Sequence, residues 1–201
     1  MLRDHGHRCI ALSIDWIMSP LSRLRPATVA RASGRVLEVG AGTGLNFAHY
    51  TDAVTEVVAI EPDPHMRRRA LGQATRAPVP VRLHPHGAES LPFPDGHFDD
   101  VVATWVFCTI PDVPAAMAEL HRVLRPGGAV HFIEHTACRH EGLHSVQRAI
   151  NPVWRRFAGG CQLVRHPTER LRDAGFVIDD VRPIGPEVSL WPMHAGTAIK
   201  R

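Results

Sequence analysis

Residues 35–46 read RVLEVGAGTGLN, an apolar run that leads into three closely spaced glycines. The apolar half predicts a buried strand, and Gly40, Gly42 and Gly44 predict a tight turn with a helix-like segment after it. Glycine has no Cβ atom, so the backbone of such a turn can bend sharply and lie directly against a ligand.

A second predicted strand, Val57–Ile60, ends at Glu61, twenty-one positions beyond Gly40. A strand, a glycine turn, a helix, a second strand and a terminal acid form the arrangement of a nucleoside-cofactor site. In such a site the acid holds the two ribose hydroxyls. We therefore expect Glu61 to bind a ribose.

The spacing of the glycines indicates which of two cofactors, a dinucleotide or S-adenosylmethionine, the turn binds. Dinucleotide-binding turns follow the pattern G-x-G-x-x-G, which places a pyrophosphate at a helix N-terminus. Here the pattern is G-x-G-x-G, and Glu38 stands two residues before Gly40. A carboxylate at this point repels a pyrophosphate but suits the amino group and the sulfonium of S-adenosylmethionine. The sequence therefore favours S-adenosylmethionine over NAD.

The composition removes other chemistries. Lys200 is the only lysine and Tyr50 the only tyrosine, so the Tyr–Lys pair of short-chain dehydrogenases and a P-loop lysine are excluded. The four cysteines form no C-x-x-C pair, which is typical of a reducing compartment. We expect a cytoplasmic monomer or homodimer with no integral membrane segment. The formal charge of +3 is too small to indicate a nucleic-acid partner.

Strands and helices alternate along the rest of the chain. Strands are predicted near Val81–Leu83, Val101–Ala103 and Ala129–Glu134, and helices over Pro64–Thr75 and Pro114–Leu124. This alternation predicts an α/β fold with a Rossmann-like, doubly wound, mostly parallel sheet and helices on both faces. Ligands of such sheets bind beyond the carboxyl ends of the strands.

A length of 201 residues predicts one domain. We divide it into short N-terminal lid helices (1–33), a cofactor-binding core (34–136), and substrate-side helices with the last strands (137–201). In the first part an apolar stripe that includes Met18 is interrupted at Pro20, and Ser19 is placed to cap a fresh helix. Two short helices are therefore predicted there.

Two stretches, GAESLPFPDGHFDDVVATWVFCTIPD (87–112) and ELHRVLRPGGAVHFIEH (119–135), resemble the central block of the ubiquinone-methylase-like class I methyltransferases. The resemblance implies S-adenosylmethionine as the cofactor and an antiparallel strand at the C-terminal end of the sheet. It also implies that Ala88-Glu89 lies by the adenine and Thr104-Trp105 along the methionine part. The predicted cofactor-binding residues are Glu38, Gly40, Ala41, Gly42, Gly44, Asn46, Glu61, Pro62, Met66, Gly87, Ala88, Glu89, Thr104, Trp105 and Cys108.

The last third of the chain is similar to one branch of that family. EHTACRH, NPVWRRFAGGCQLVR and PMHAGTAIK resemble the methyltransferase-like seven branch, known for alkyl-thiol S-methylation. The similarities are Glu134-His135, Pro152, Trp154, Gly160-Cys161, Arg165 and His194. Animal members of the branch begin with a hydrophobic membrane anchor, and we do not expect membrane association to carry over to this chain.

Five residues are candidates for handling the substrate. His135 and His194 are the candidate catalytic bases, because an imidazole with an ordinary pKa of about 6.5 suits proton transfer from a thiol, phenol or amine. Met18, Trp154 and Arg165 are the candidate substrate-binding residues. With 14 histidines in the chain, an incidental role is the alternative for either base.

Metal ligation is a rival chemistry. Cys138, His140, Glu141 and His144 offer ligand types close together in the sequence. No second group of ligands with matching spacing completes a structural zinc site. We therefore predict no metal.

The predicted function is S-adenosylmethionine-dependent methyl transfer to a sulfur, oxygen or nitrogen atom of a small, largely apolar molecule, with a thiol favoured. Two alternatives stay open. One is methylation of a phospholipid head group or a quinone. The other is a protein that binds S-adenosylmethionine without catalysis.

Overall fold

A seven-stranded sheet forms the centre of the computed structural model, which describes residues 8–201 but not the side chains of residues 8–10, 12 and 17. Residues 1–7 of the predicted lid segment lie outside the described residues. The strands are β1 (Gly34–Val39), β2 (Val54–Ile60), β3 (Val81–His84), β4 (Phe98–Thr104), β5 (Leu124–His135), β6 (Phe176–Ile184) and β7 (Met193–Lys200).

The spatial order of the strands is β3-β2-β1-β4-β5-β7-β6. Strands β1 to β5 are parallel to one another, and β7 is antiparallel to both β5 and β6. The order reverses beside β1, because β2 lies on one side of it and β4 on the other. In open parallel sheets ligands bind at this kind of position.

Helices pack on both faces of the sheet. They are α1 (Arg8–Met18), α2 (Arg25–Val29), α3 (Pro64–Ala74), α4 (Val113–Val123), α5 (Glu141–Phe157) and α6 (Pro167–Asp173), with 3-10 turns at Ser19–Leu24 and Phe47–His49. Asp63 and Asp112 cap α3 and α4, because their carboxylates accept hydrogen bonds from backbone N–H groups of the first turn. None of the helices described in residues 8–201 is long and apolar enough to span a membrane.

Two apolar clusters cover the two faces of the sheet. Successive side chains of β1 point to opposite faces, so Leu37 packs in one cluster and Val36 in the other. The first cluster includes Leu120 of α4, and the second includes Ala70 of α3. The crossover helices therefore bury both faces and leave the strand ends as the place for a ligand.

The fold class predicted from the sequence is confirmed: the sheet is mostly parallel, its strand β7 is antiparallel, and helices cover both faces. The predicted helix over Pro64–Thr75 is α3, one residue shorter. The division into three segments stays a prediction.

Two local predictions were wrong. The segment after the glycine turn is a series of turns with only the short 3-10 turn Phe47–His49. Ser19 does not cap a helix, because the 3-10 turn Ser19–Leu24 has no side-chain cap and the Ser22 hydroxyl donates to the Ser19 carbonyl instead.

Candidate active site

The glycine turn after β1 has a left-handed backbone. Gly40 has φ +62° and Gly42 has φ +57°, a region that favours glycine over residues with a Cβ atom. A Cβ atom on Gly40 would lie 2.2 Å from Cγ2 of Val106, whereas one on Gly42 would meet nothing within 4 Å. Gly40 is therefore fixed by packing, and Gly42 faces open space.

That open space is a cavity of about 460 Å³ at the carboxyl ends of β1, β2 and β4. Its volume is in the range of small-molecule sites. Nine residues predicted to bind the cofactor or substrate line it: Met18, Gly40, Ala41, Gly42, Glu61, Pro62, Met66, Thr104 and Trp105. The structure thus brings the turn, the acid and the end of β4 to one place.

Glu61 lies at the floor of this cavity, directly after β2. One carboxylate oxygen accepts a hydrogen bond from the Gly42 N–H (2.8 Å) and the other from the Asp63 N–H (2.8 Å). Burial raises the pKa of this carboxyl, and the two backbone donors partly offset that rise. Each oxygen keeps a lone pair for a further donor, so the carboxylate can hold a pair of hydroxyl groups.

A smaller cavity of about 120 Å³ adjoins the first and shares Gly40, Glu61 and Pro62 with it. The predicted residues Gly87, Ala88 and Glu89 line this second cavity. A ligand anchored at Glu61 can therefore extend one end toward residues 87–89 and the other toward Trp105.

Glu38 and Asn46 lie beneath the turn, outside the lining of both described cavities. The Tyr50 hydroxyl donates to one Glu38 oxygen (2.7 Å), and the Asn46 amide donates to the other (3.1 Å). Burial raises the pKa of Glu38 to about 7. In this structure the buried Glu38 carboxylate ties β1 to Asn46 and Tyr50, which follow the turn.

The same buried network includes an arginine that the sequence analysis missed. Arg25 is 7% exposed, and its guanidinium donates to Asn46 (2.8 Å) and to Thr104 (3.1 Å). Its guanidinium carbon lies 4.9 Å from the centroid of the Trp105 ring. Trp105 is the one described residue other than glycine with positive φ, at 52°. Arg25 lines the cavity, so it both supports and faces the site.

Helix α1 is tied to the turn by another residue that carried no sequence signal. The Asp15 carboxylate accepts a hydrogen bond from the Thr43 hydroxyl (2.5 Å) and pairs with Arg69 of α3. Ile14 and Met18 of the same helix line the cavity. The helix thus places apolar side chains at the mouth of the site.

A second polar group includes the predicted residues Cys108 and His135, neither of which lines a described cavity. Cys108, His135 and Cys161 each bring one ligand-type atom to within 4.8 Å of the other two, and we call them the thiol–imidazole cluster. The His135 Nε2 atom is 3.1 Å from the Cys161 sulfur. Hydrogen bonding from Cys108, and then from His135, holds the pKa of Cys161 well below its ordinary value, whereas the pKa of Cys108 is raised. Burial alone would lower the pKa of His135, but the contact with Cys161 outweighs it and the net shift is upward.

Glu134 and Arg165 flank this cluster. One oxygen of the fully buried Glu134 accepts hydrogen bonds from the N–H groups of Val106 (2.8 Å) and Phe107 (3.1 Å), and burial raises its pKa to about 7. The Arg165 guanidinium donates to the carbonyls of Phe107 and Ile110, so this candidate substrate residue also positions the loop after β4.

The remaining predicted residues lie apart from the lining of the described cavities. His194 lies on β7 with its Nε2 atom 4.0 Å from a Glu187 carboxylate oxygen. The Trp154 ring packs against Trp191, with centroids 5.4 Å apart. Gly44 packs over Phe47. Within the described residues, Cys138, His140, Glu141 and His144 do not form a ligand cluster.

Comparisons with known proteins agree with this geometry. A family model described as a methyltransferase domain matches residues 37–132. Thiol S-methyltransferase TMT1B of Homo sapiens is 30% identical over 77% of this chain and 65% of that protein. Phosphatidylethanolamine N-methyltransferase of Cereibacter sphaeroides is 36% identical over 64% of each chain. The chain thus spans just under two thirds of the length of both relatives.

The crystal structure of YcgJ from Bacillus subtilis has the same fold, with a TM-score of 0.73 and 20% identity over 91% of this chain and 99% of that one. The glycine turn, the acid after β2 and the sheet order are those of a class I methyltransferase fold. The matched methyltransferase domain, the relatives and the fold together support a class I S-adenosylmethionine-dependent methyltransferase. The residues present fit the cofactor, because Glu61 offers a carboxylate for the ribose and Gly42 leaves room directly above the turn.

Proposed function

We propose that the chain transfers the methyl group of S-adenosylmethionine to the sulfur of a small, largely apolar thiol. The observation that carries the proposal is the cavity above Gly42, which joins the Glu61 carboxylate to an apolar mouth formed by Ile14 and Met18. The human relative is named a thiol S-methyltransferase and is 30% identical over 77% of this chain, which supports sulfur as the acceptor atom.

The cofactor supplies an electrophilic methyl group on a sulfonium. In the proposed site Glu61 holds the ribose hydroxyls, residues 87–89 lie by the adenine, and Thr104 and Trp105 lie along the methionine part. The protein then has to hold the acceptor sulfur in line with the methyl group. When a thiolate attacks a sulfonium, both charges disappear, so a pocket that excludes water favours the reaction over the separated ions.

Removal of the proton from the acceptor thiol requires little help from the enzyme. A free thiol has a pKa of about 8.5, so solvent can remove its proton near neutral pH. His135 and His194 are the candidate proton acceptors. His135 contacts Cys161, whose backbone N–H donates to the cavity-lining Ala158, whereas His194 lies beside Glu187. His135 is therefore the better placed of the two.

A second candidate function is methylation of the amine of a phospholipid head group. The bacterial relative named phosphatidylethanolamine N-methyltransferase favours it, with 36% identity over 64% of this chain. The two candidate functions are distinguished by whether a phospholipid amine or a soluble thiol is methylated.

The test is methyl transfer from labelled S-adenosylmethionine to a panel of alkyl thiols, phenols, amines and phosphatidylethanolamine vesicles. We expect alkyl thiols to be methylated fastest. Preference for the vesicles would support the second function. Cofactor binding without turnover on any acceptor would contradict both and favour the non-catalytic alternative. The Glu61→Ala variant is the control for cofactor-dependent transfer.

A further inference from the structure

Three side chains that can bind a soft metal ion come together beside the cofactor cavity. Cys108 lies in the loop after β4, His135 ends β5, and Cys161 follows α5. They are 27 and 26 positions apart in the chain, yet their ligand atoms lie within 4.8 Å of one another. The fold, not local sequence, creates the thiol–imidazole cluster.

We propose that the thiol–imidazole cluster is a binding site for Zn²⁺, with three protein ligands and an open fourth position. Two thiolates and one imidazole are ligands that Zn²⁺ prefers. Catalytic zinc sites commonly use three protein ligands and keep the fourth position for water or substrate. Soft thiolate ligands also disfavour Mg²⁺ and Ca²⁺, which require oxygen.

The distances agree with such a site. In a tetrahedral zinc site with bonds of about 2.0–2.3 Å, neighbouring ligand atoms lie roughly 3.4–3.8 Å apart. The 3.1 Å contact between His135 and Cys161 and the 4.8 Å upper limit for the cluster bracket that separation. The three ligand atoms are therefore close enough to one another to share one ion.

The charges around the cluster also favour a cation. The Glu134 carboxylate is fully buried, interacts electrostatically with Cys108, His135 and Cys161, and its Oε2 atom has no hydrogen-bond partner among the described residues. The Arg165 guanidinium lies near both thiols and opposes a cation. That guanidinium is already engaged by the carbonyls of Phe107 and Ile110. A bound metal ion would displace the protons of both thiols, and the two thiolates would then outweigh the single positive charge of Arg165.

A Zn²⁺ ion in the cluster could activate the acceptor thiol, and this part of the proposal rests on the proposed thiol methylation. Thr109 and Ala158-Gly159, which line the cavity, lie within three residues of Cys108 and Cys161. An acceptor thiol that reached the fourth position would lose its proton to solvent and would present a sulfur anion to the methyl group. The new S–CH₃ bond forms as the C–S⁺ bond of the cofactor breaks, which leaves a neutral thioether and S-adenosylhomocysteine.

The experiment is a Co²⁺ titration of the reduced, chelator-treated protein, followed by displacement with Zn²⁺, without cofactor or acceptor. We expect one tightly bound Co²⁺ per chain, with the near-ultraviolet absorption of thiolate–cobalt bonds. Cys161→Ser and His135→Gln should weaken the affinity by on the order of 100-fold or more. Cys138→Ser is the matched control, because Cys138 is buried but lies outside the cluster, and it should bind like wild type.

Absence of thiolate–cobalt absorption in the wild type, or an affinity unchanged in Cys161→Ser, would overturn the proposal. Circular dichroism and cofactor calorimetry of each variant show whether it is folded. Glu61→Ala separates the two proposals, because it should bind Co²⁺ normally and lose cofactor. If the protein does not bind Co²⁺, its affinity for the cofactor can still be measured. If it does not bind the cofactor, its affinity for Co²⁺ can still be measured.

Discussion

The Glu61 carboxylate accepts a hydrogen bond from the Gly42 N–H at 2.8 Å, so the acid after β2 and the glycine turn after β1 form one unit. The second Glu61 oxygen accepts from the Asp63 N–H, which fixes the start of α3 to the same carboxylate. The orientation of the Glu61 carboxylate is therefore set before any ligand binds, and little entropy remains to be lost.

Removal of this carboxylate should weaken cofactor binding. Each charge-assisted hydrogen bond to a ribose hydroxyl contributes about 1.5–3 kcal/mol. Glu61→Ala should therefore lower the affinity for S-adenosylmethionine at least about tenfold. Isothermal titration calorimetry measures this affinity. Glu141→Ala, at an exposed glutamate of α5, is the control, and an unchanged affinity in Glu61→Ala would remove this residue from the site.

A side chain at position 42 should block the cofactor. Gly42→Val places its side chain in the space above the turn and also strains a left-handed backbone. Gly127→Val is a matched control, because Gly127 has φ +79° and also meets nothing within 4 Å, but does not line the cavity. Both variants should lose stability, and only Gly42→Val should abolish cofactor binding. Equal cofactor affinities in the two folded variants would contradict the assignment of the turn.

The buried Glu38 should make stability depend on pH. Burial raises its pKa in the folded state to about 7 from an ordinary value of 4.5. A raised folded-state pKa means that this group stabilises the fold below pH 4.5 and that the contribution is lost as pH rises through about 7. Relative to wild type, Glu38→Gln should therefore gain unfolding free energy between pH 5 and 8. Urea unfolding at several pH values measures the difference, and a constant difference would contradict the buried, raised state of this carboxyl.

The pH–rate profile of His135→Ala should separate two roles for this histidine. If His135 accepts the acceptor proton, the lost rate should recover as pH approaches the thiol pKa of about 8.5. If His135 binds a metal ion, the rate of His135→Ala should stay low at high pH. The rate of Cys161→Ser should be lowered in the same way. Profiles that superimpose on wild type would exclude His135 from both roles and direct attention to His194.

Local patterns made the contact between the glycine turn and the acid after β2 predictable. Gly42 follows β1 and Glu61 follows β2, and the pairing of these two parallel strands brings their carboxyl ends together. The role of Glu38 was not predictable in the same way. Its position before the turn indicated a contact with cofactor, but the alternation of β1 places its side chain against Tyr50, beneath the turn.

The thiol–imidazole cluster and Arg25 show where sequence reasoning ends. Cys108, His135 and Cys161 lie on three separate elements with no spacing signal, so their contact depends on packing of α5 and its following loop against the sheet. Arg25 precedes a proline in an arginine-rich chain, and only the tertiary structure shows that it is buried against Asn46 and Thr104. Long-range contacts of this kind leave no periodic trace.

The most direct test of the central claim is product analysis with S-adenosylmethionine that carries a deuterated methyl group. The protein, an alkyl thiol and this cofactor should yield the deuteromethyl thioether and S-adenosylhomocysteine in equal amounts, and Glu61→Ala should yield far less of both. Mass spectrometry quantifies each product. S-adenosylhomocysteine without thioether, or no product from a wild-type protein that binds the cofactor, would contradict thiol S-methylation.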